Sequence, residues 1–240
     1  MLGQSTRSPE SPIMSHNVLG QRLGRKGQET RERILAALQR QLEGPVGCPI
    51  TLTSVAREAS VGMTTLYLYF PDLGELVLAG MQRIFDQAKL TFVETVRTRW
   101  PDDELGRYCL TFTREYYDFW QKHGRILHLR NSLADANDKR FQENRLSATL
   151  PLIKMLVAQM DGEAESTDVC SVHFGMVLMT GLERIVTVIT NPHLHLIASP
   201  EHADRLIEAE ARLIEVALRH QRGAVAAARA AGSSEIQPSA

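Results

Sequence analysis

A chain of 240 residues with 43% hydrophobic and 23% charged residues has the composition of a soluble globular protein, with length enough to bury a substantial core in one or two domains. Its formal net charge of −1 gives no global attraction to polyanions, but residues 1–70 carry 8 Lys/Arg against 5 Asp/Glu, so a mildly basic head precedes an acidic body. Cys48, Cys109 and Cys170 lie far apart without a Cys-x-x-Cys pair, which argues against a disulfide framework or a structural zinc site and fits a reducing compartment.

The N-terminus is polar and lacks the apolar core of a signal peptide. No uncharged apolar run approaches the roughly 18–20 residues that span a bilayer. The richest stretch, Val172 to Ile189, is interrupted by Glu183 and Arg184. The expected location is therefore the cytoplasm, with no membrane partner.

Residues 1–26, rich in Ser, Pro, Gly and Arg, have no hydrophobic period and are expected to form a disordered basic arm. Residues 29–43 place Ile34, Leu35, Leu38 and Leu42 at helical spacing, and Gly44-Pro45-Val46-Gly47 stops that helix. A short helix is expected from Leu52 to Ala59 with Thr51 as N-cap. The connection Ser60-Val61-Gly62 leads to a second short helix ending near Tyr69. Asp72, with Glu75 three residues on, has the pattern of a capping box for a long helix over 72–99.

The run Trp100-Pro101-Asp102-Asp103-Glu104 reads as the start of a helix reaching His123-Gly124, followed by a shorter one over 125–133. Another spans 137–160, where Pro151 is expected to kink or divide it. Helices over 167–190 and 200–222 complete the series, the last capped by Ser199 with Pro200 behind it. The Ala, Gly and Ser tail over 223–240 is expected to be disordered. No strand pattern and no repeat is present, so the chain reads as all-α with about nine helices.

The sharpest signal is residues 51–70, TLTSVAREASVGMTTLYLYF. Two short helices joined by three residues form the helix-turn-helix pattern. Val55, Ala56, Ala59, Val61 and Leu66 supply its inner core, leaving Met63, Thr64, Thr65, Tyr67 and Leu68 for the outer face of the second helix. Hydroxyls suit phosphate oxygens, and apolar groups can touch the thymine methyl.

The run Thr51, Val55, Ala56, Glu58, Ala59, Val61, Thr65, Leu66, Tyr67, Tyr69, Phe70, Glu75 and Leu76 resembles the N-terminal domain of the TetR family of transcription regulators over about residues 28–80. The Leu-Tyr-x-Tyr-Phe ending is its most distinctive part. The resemblance implies a three-helix DNA-binding domain at 27–73 and a larger helical effector-binding and dimerisation domain at 74–222. It implies that the second helix of the motif enters the major groove as one of a symmetric pair reading a palindromic operator in double-stranded DNA. By the same resemblance Thr65 and Tyr67 hold phosphates, and Thr53, Met63, Thr64 and Leu68 face base edges. Thr51 and Tyr69 complete the expected contact set, and Arg22, Arg25 and Lys26 resemble a basic arm along the backbone or in the minor groove. Gly62, Leu73 and Leu68 depart from the family pattern, which usually has Ser, Lys and a polar or aromatic residue there. Reliance on apolar contacts, the arm or DNA shape follows.

In the body, Tyr108, Phe112, Tyr116 and Trp120 recur every four residues and form either a core stripe or the wall of a pocket for a small-molecule effector, apolar or aromatic. Met155, Met176 and Met179 suit an adaptable apolar wall. Arg130 and His173, polar within apolar helices, either orient a ligand or pair structurally. The resemblance implies a homodimer through 167–190 and 200–222, where Gly175 and Gly181 would allow close approach.

Catalytic readings fail. Gly20 to Lys26 has neither P-loop nor dinucleotide-binding spacing, and neither Gly-x-Ser-x-Gly nor His-Glu-x-x-His occurs. His193-x-His195 has no third ligand in reach by sequence. The expectation is a non-enzymatic regulator without cofactor or metal, released from its operator by an effector. A ligand-binding or interaction protein with weak non-specific DNA binding, and an activator of the same fold, remain open.

Overall fold

The computed structural model describes residues 18, 20–44, 48–88, 92–161, 169–191 and 199–234. Among these the protein is all-α, with nine helices and no strand. They are α1 (Arg25–Glu43), α2 (Leu52–Glu58), α3 (Met63–Tyr67), α4 (Leu73–Ala88), α5 (Phe92–Arg97), α6 (Leu105–Asp135), α7 (Lys139–Gln159), α8 (Val169–Ile189) and α9 (Pro200–Ser234). The chain divides into two compact units, Met1–Gly80 and Met81–Ala240. The division falls later than the expected 73/74 boundary because Leu73, Leu76 and Ala79 of α4 pack on the core of the first unit.

The first unit is built on Ile34, Leu35 and Leu38 of α1, Val55 and Ala56 of α2, and Leu66, Phe70 and Leu76, all buried. Polar contacts fix α2 to α1: Nε of Arg40 donates to Oε1 of Glu58 at 2.6 Å, and Oγ of Ser54 donates to Oε1 of Gln41 at 2.8 Å. Asp72 caps α4, its Oδ1 accepting the Glu75 N–H at 2.9 Å.

In the second unit α6 packs on α7, α8 and α9, and α8 also packs on α7 and α9. The expected break at Gly124 does not occur: α6 is one helix of 31 residues. Gly124 is buried, with the Thr190 side chain 3.9 Å from where its Cβ would stand, so packing outweighs the weak helix propensity of glycine. Pro151 lies inside α7 without dividing it. Residues in the left-handed region bound α7, Asn137 (φ 67°) before it and Asp161 (φ 57°) after it.

Three further expectations are corrected. The helix expected over 72–99 is two elements, α4 ending at Ala88 and α5 starting at Phe92, with residues 89–91 outside the described set. The helix expected from Pro101 starts at Leu105. Side chains from α7 and α9 satisfy the intervening backbone: Gln159 accepts the Trp100 N–H at 2.9 Å and donates to the Val96 and Thr98 carbonyls, and Arg222 donates to the Trp100 carbonyl at 3.0 Å. Finally, α9 does not stop near Arg222 but continues to Ser234. Its extension holds Ala224, Ala226, Ala227, Ala228, Ala230 and Ala231, and alanine has the highest helix propensity.

By length and composition, Ser171–Ile189 in α8 is apolar enough to cross a membrane. In the second unit Leu178, Met179, Leu182 and Val186 of this segment are buried. Its Glu183 pairs with the buried Arg130.

Candidate functional site

In the first unit, α2 and α3 are held by a short, strained connection. The Thr51 hydroxyl accepts the Ser54 N–H at 3.0 Å while the Ser54 hydroxyl accepts the Thr51 N–H at 3.0 Å, a reciprocal cap on α2. At the other end Ser60 takes the left-handed conformation (φ 53°), and the Val61 N–H returns to the Ala56 carbonyl at 3.0 Å. The buried Ala56 leaves room for this return. Such a turn sets the angle between two helices too short to be stable alone.

This arrangement leaves Thr64 exposed, with Tyr67 and Leu68 at 49% and 40% exposure. Thr53 and Thr51 at the start of α2 are also exposed, although the Thr51 hydroxyl is engaged in its cap. Thr65 is half-buried. Met63 and Tyr69 are half-buried and pack on the core of the unit, so both are in part structural. Arg22, Arg25 and Lys26 are exposed, Arg25 reaching Glu29 at 3.6 Å. The Val18 N–H donates to the Leu68 carbonyl at 3.0 Å, which brings the arm beside the end of α3. Nothing in residue types or spacing signalled that contact. The rest of the arm before Gly20 lies outside the described residues.

The second unit holds a cavity of about 400 Å³, within the usual range for small-molecule sites. Tyr116, Trp120, Arg130 and Met155 line it, as expected from the sequence. Tyr108, Phe112, His173 and Met176 do not, and the expected effector set is corrected there. Phe112 is fully buried, close to Phe92 and Trp100, and Tyr108 stacks on Trp100 at 6.0 Å between ring centroids. The four-residue stripe drifts around a long helix, so only its second half reaches the cavity. His173 and Met176 are exposed on α8, while Met179 is core.

Sequence reasoning missed Phe92, Phe119, Leu127 and Asn144, which also line the cavity. Phe92 meets Tyr116 edge-on at 5.1 Å and Phe119 at 5.3 Å. Only tertiary packing makes this aromatic wall, since Phe92 lies on α5 and its partners on α6.

The electrostatics of the wall are balanced. Nη2 of Arg130 donates to Oε1 of Glu183 at 2.9 Å, and Nε donates to Oδ1 of Asn131 at 3.0 Å. Burial pulls the Arg130 guanidinium below its ordinary range, and the Glu183 carboxylate opposes that pull. Burial and the nearby Glu183 raise the Tyr116 hydroxyl above the ordinary tyrosine range, so it stays neutral. Away from the cavity, burial pushes the Cys109 thiol up to about 12, which makes it a core group and not a nucleophile.

On α8, Met176 and Val177 are exposed, and on α9 so are Leu213 and Val216, Val177 reaching 68% and Val216 65%. Gly175 and Gly181 face other partners. A Cβ on Gly175 would meet Val157 of α7 at 3.1 Å, and one on Gly181 would meet Glu210 of α9 at 3.3 Å. Both glycines serve packing within the chain.

Among the described residues no group of three His, Cys, Asp or Glu side chains is arranged to hold a metal ion. His193 and His195 lie outside the described residues. No protein-family model matches the chain, and no curated protein matches it.

Proposed function

We propose that the protein is a sequence-specific DNA-binding transcription regulator of the TetR type, a homodimeric repressor that a small molecule releases from a palindromic operator. The observation that carries the reading is the α2–turn–α3 unit. Its inner face is buried, and its outer face offers Thr64, Tyr67 and Leu68. Exposed hydroxyl and apolar groups on a fixed second helix suit phosphate contact and thymine-methyl contact. The exposed Arg22, Arg25 and Lys26 supply charge for the backbone or minor groove.

The second unit supports the effector and dimer parts. Its cavity is mostly apolar, with a few polar groups on the wall. Exposed Met176 and Val177 on α8, and Leu213 and Val216 on α9, are apolar side chains suited to packing on a second copy. A two-fold pair is what two half-sites need.

Release requires the effector to bind more tightly to the state whose two heads do not fit the half-sites. The covalent link is α4, which begins in the first unit and ends in the second, and whose Gln82 and Phe85 line the cavity. An effector that displaces these side chains would bias α4 and the heads it carries.

Selection of duplexes from a random pool by the full-length protein tests the reading. The expected product is an inverted repeat with half-site centres about 34–36 Å apart or a multiple of that. Recovery of duplexes without a shared motif would overturn it.

A further inference from the structure

Arg130 lines the cavity with its donors only partly used. Its Nε donates to Oδ1 of Asn131 at 3.0 Å and its Nη2 to Oε1 of Glu183 at 2.9 Å. Among the described residues nothing accepts from Nη1. Two partnerless side-chain atoms of these residues are sealed from solvent, Oδ1 of Asn144 and Oε1 of Glu210, and Nη1 is not one of them. Arg130 is 3% exposed, and the space it borders is the cavity. Nη1 therefore turns its N–H groups to that space. A guanidinium holds five N–H donors and no acceptor, so its open edge is closed by an acceptor atom and never by a donor.

The wall beside this edge is aromatic. Cζ of Arg130 stands 5.8 Å from the centre of the Trp120 ring, which also lines the cavity. Across the cavity wall Phe92 meets Tyr116 edge-on at 5.1 Å and lies 5.3 Å from Phe119. Rings from two helices thus suit a flat ring, with the guanidinium edge placed for an oxygen on it. The Tyr116 hydroxyl, which burial keeps neutral, retains its O–H as a second donor on the same wall.

We propose that the cavity takes an aromatic molecule carrying a carbonyl or carboxylate oxygen, which accepts from Nη1 of Arg130. The proposal rests on the effector half of the function proposed above and is tested without DNA, so the two can fail separately. Glu183 keeps Nη2, the ligand oxygen takes Nη1, and the ring packs among the aromatic side chains. Arg130 then does two things at once: it joins α6 to α8 and it reads the ligand. An analogue without the oxygen leaves the donor unsatisfied and loses affinity, as a site built for a hydrogen bond discriminates against ligands lacking it.

Three probes of one skeleton isolate the terms: naphthalene, an acetonaphthone and a naphthoate. Equilibrium dialysis against the full-length protein at neutral pH is expected to give at least one oxygen-bearing probe an affinity about tenfold above naphthalene. The tighter of the two tells a carbonyl ligand from a carboxylate. Arg130→Met combined with Glu183→Leu removes the donor together with its counter-charge, so naphthalene should still bind and the preference should vanish. Glu183→Gln keeps an acceptor for Nη2 but strips Arg130 of its counter-charge. Naphthoate should then bind severalfold more tightly than to the wild type, with naphthalene unchanged. This second variant decides the matter if the double variant does not fold. Naphthalene binding as tight as both other probes, a preference that survives the double variant, or a naphthoate affinity unmoved by Glu183→Gln would overturn the proposal. Failure of all three probes to bind the wild type would do the same. A specific operator together with any of these results would leave the regulator reading standing without this ligand class. Oxygen-dependent binding by a protein with no operator would do the reverse.

Discussion

Nη2 of Arg130 lies 2.9 Å from Oε1 of Glu183, and the same guanidinium stands 5.8 Å from the centre of the Trp120 ring. One buried side chain therefore joins the cavity wall on α6 to α8. Removing one member of such a pair leaves the other buried without compensation. Glu183→Leu should lower the unfolding free energy by about 3–5 kcal/mol, and Arg130→Met combined with Glu183→Leu should recover most of the loss. Urea titrations of the two variants and the wild type check this through their midpoints at unchanged slope.

Gln159 is a second buried polar joint. Its amide accepts from Trp100 and donates to the Val96 and Thr98 carbonyls at 2.9 Å and 2.8 Å, closing the end of α5. Gln159→Ala leaves these backbone groups unpaired, at an expected cost of about 2–4 kcal/mol. Amide exchange at residues 98–104 should accelerate more than exchange elsewhere in the second unit.

Glu210 is buried on α9, with one carboxylate oxygen lacking any partner. Desolvation raises its carboxyl above the usual range. Because the folded state holds this proton more tightly than the unfolded state, stability falls as pH rises from the ordinary carboxyl value through the raised one. Glu210→Gln should therefore stabilise the protein by about 1 kcal/mol at neutral pH, with the gain vanishing at acid pH below the ordinary carboxyl range. Thermal melts across that range measure the difference.

Two substitutions in the helix-turn-helix should act in opposite directions. Ser60 is held at positive φ, where a Cβ is unfavourable, so Ser60→Gly should stabilise by about 0.5–1 kcal/mol. Thr51→Ala removes the reciprocal cap on α2 and should cost about 1 kcal/mol. Melting temperatures of the two variants against wild type decide the signs.

The exposed faces of α8 and α9 give a prediction for assembly. Val216→Glu places a charge on a side chain that makes no demand on the core, since Val216 is 65% exposed. Sedimentation should show a dimer for the wild type and a monomer with unchanged helical content for the variant.

Much of this architecture was legible in the sequence, because local signals coincide with what packing needs. Thr51 and Ser199 both cap where their side chains and positions suggested. Ser60-Val61-Gly62 is the connection between two short helices. Misreadings arose where tertiary contact overrode local chemistry. Gly124 looked like a stop but is packed inside α6, and Pro101 looked like a start but directly follows Trp100, whose N–H and carbonyl are held outside a helix by Gln159 and Arg222. The alanine-rich end of α9 was mistaken for a tail because it offers little to pack, although its intrinsic propensity is helical. Periodicity found Tyr116 and Trp120 for the cavity, but Phe92 and Asn144 come from other helices, which spacing along one helix cannot reveal.

Sequence-specific DNA binding is decided by the affinity for the duplex upstream of the protein's own coding sequence against a scrambled duplex of equal length, at low and high salt. A specific regulator prefers the upstream duplex by about 10³ or more, and the preference persists at the higher salt. Equal affinities for the two duplexes, falling together steeply as salt rises, would contradict it.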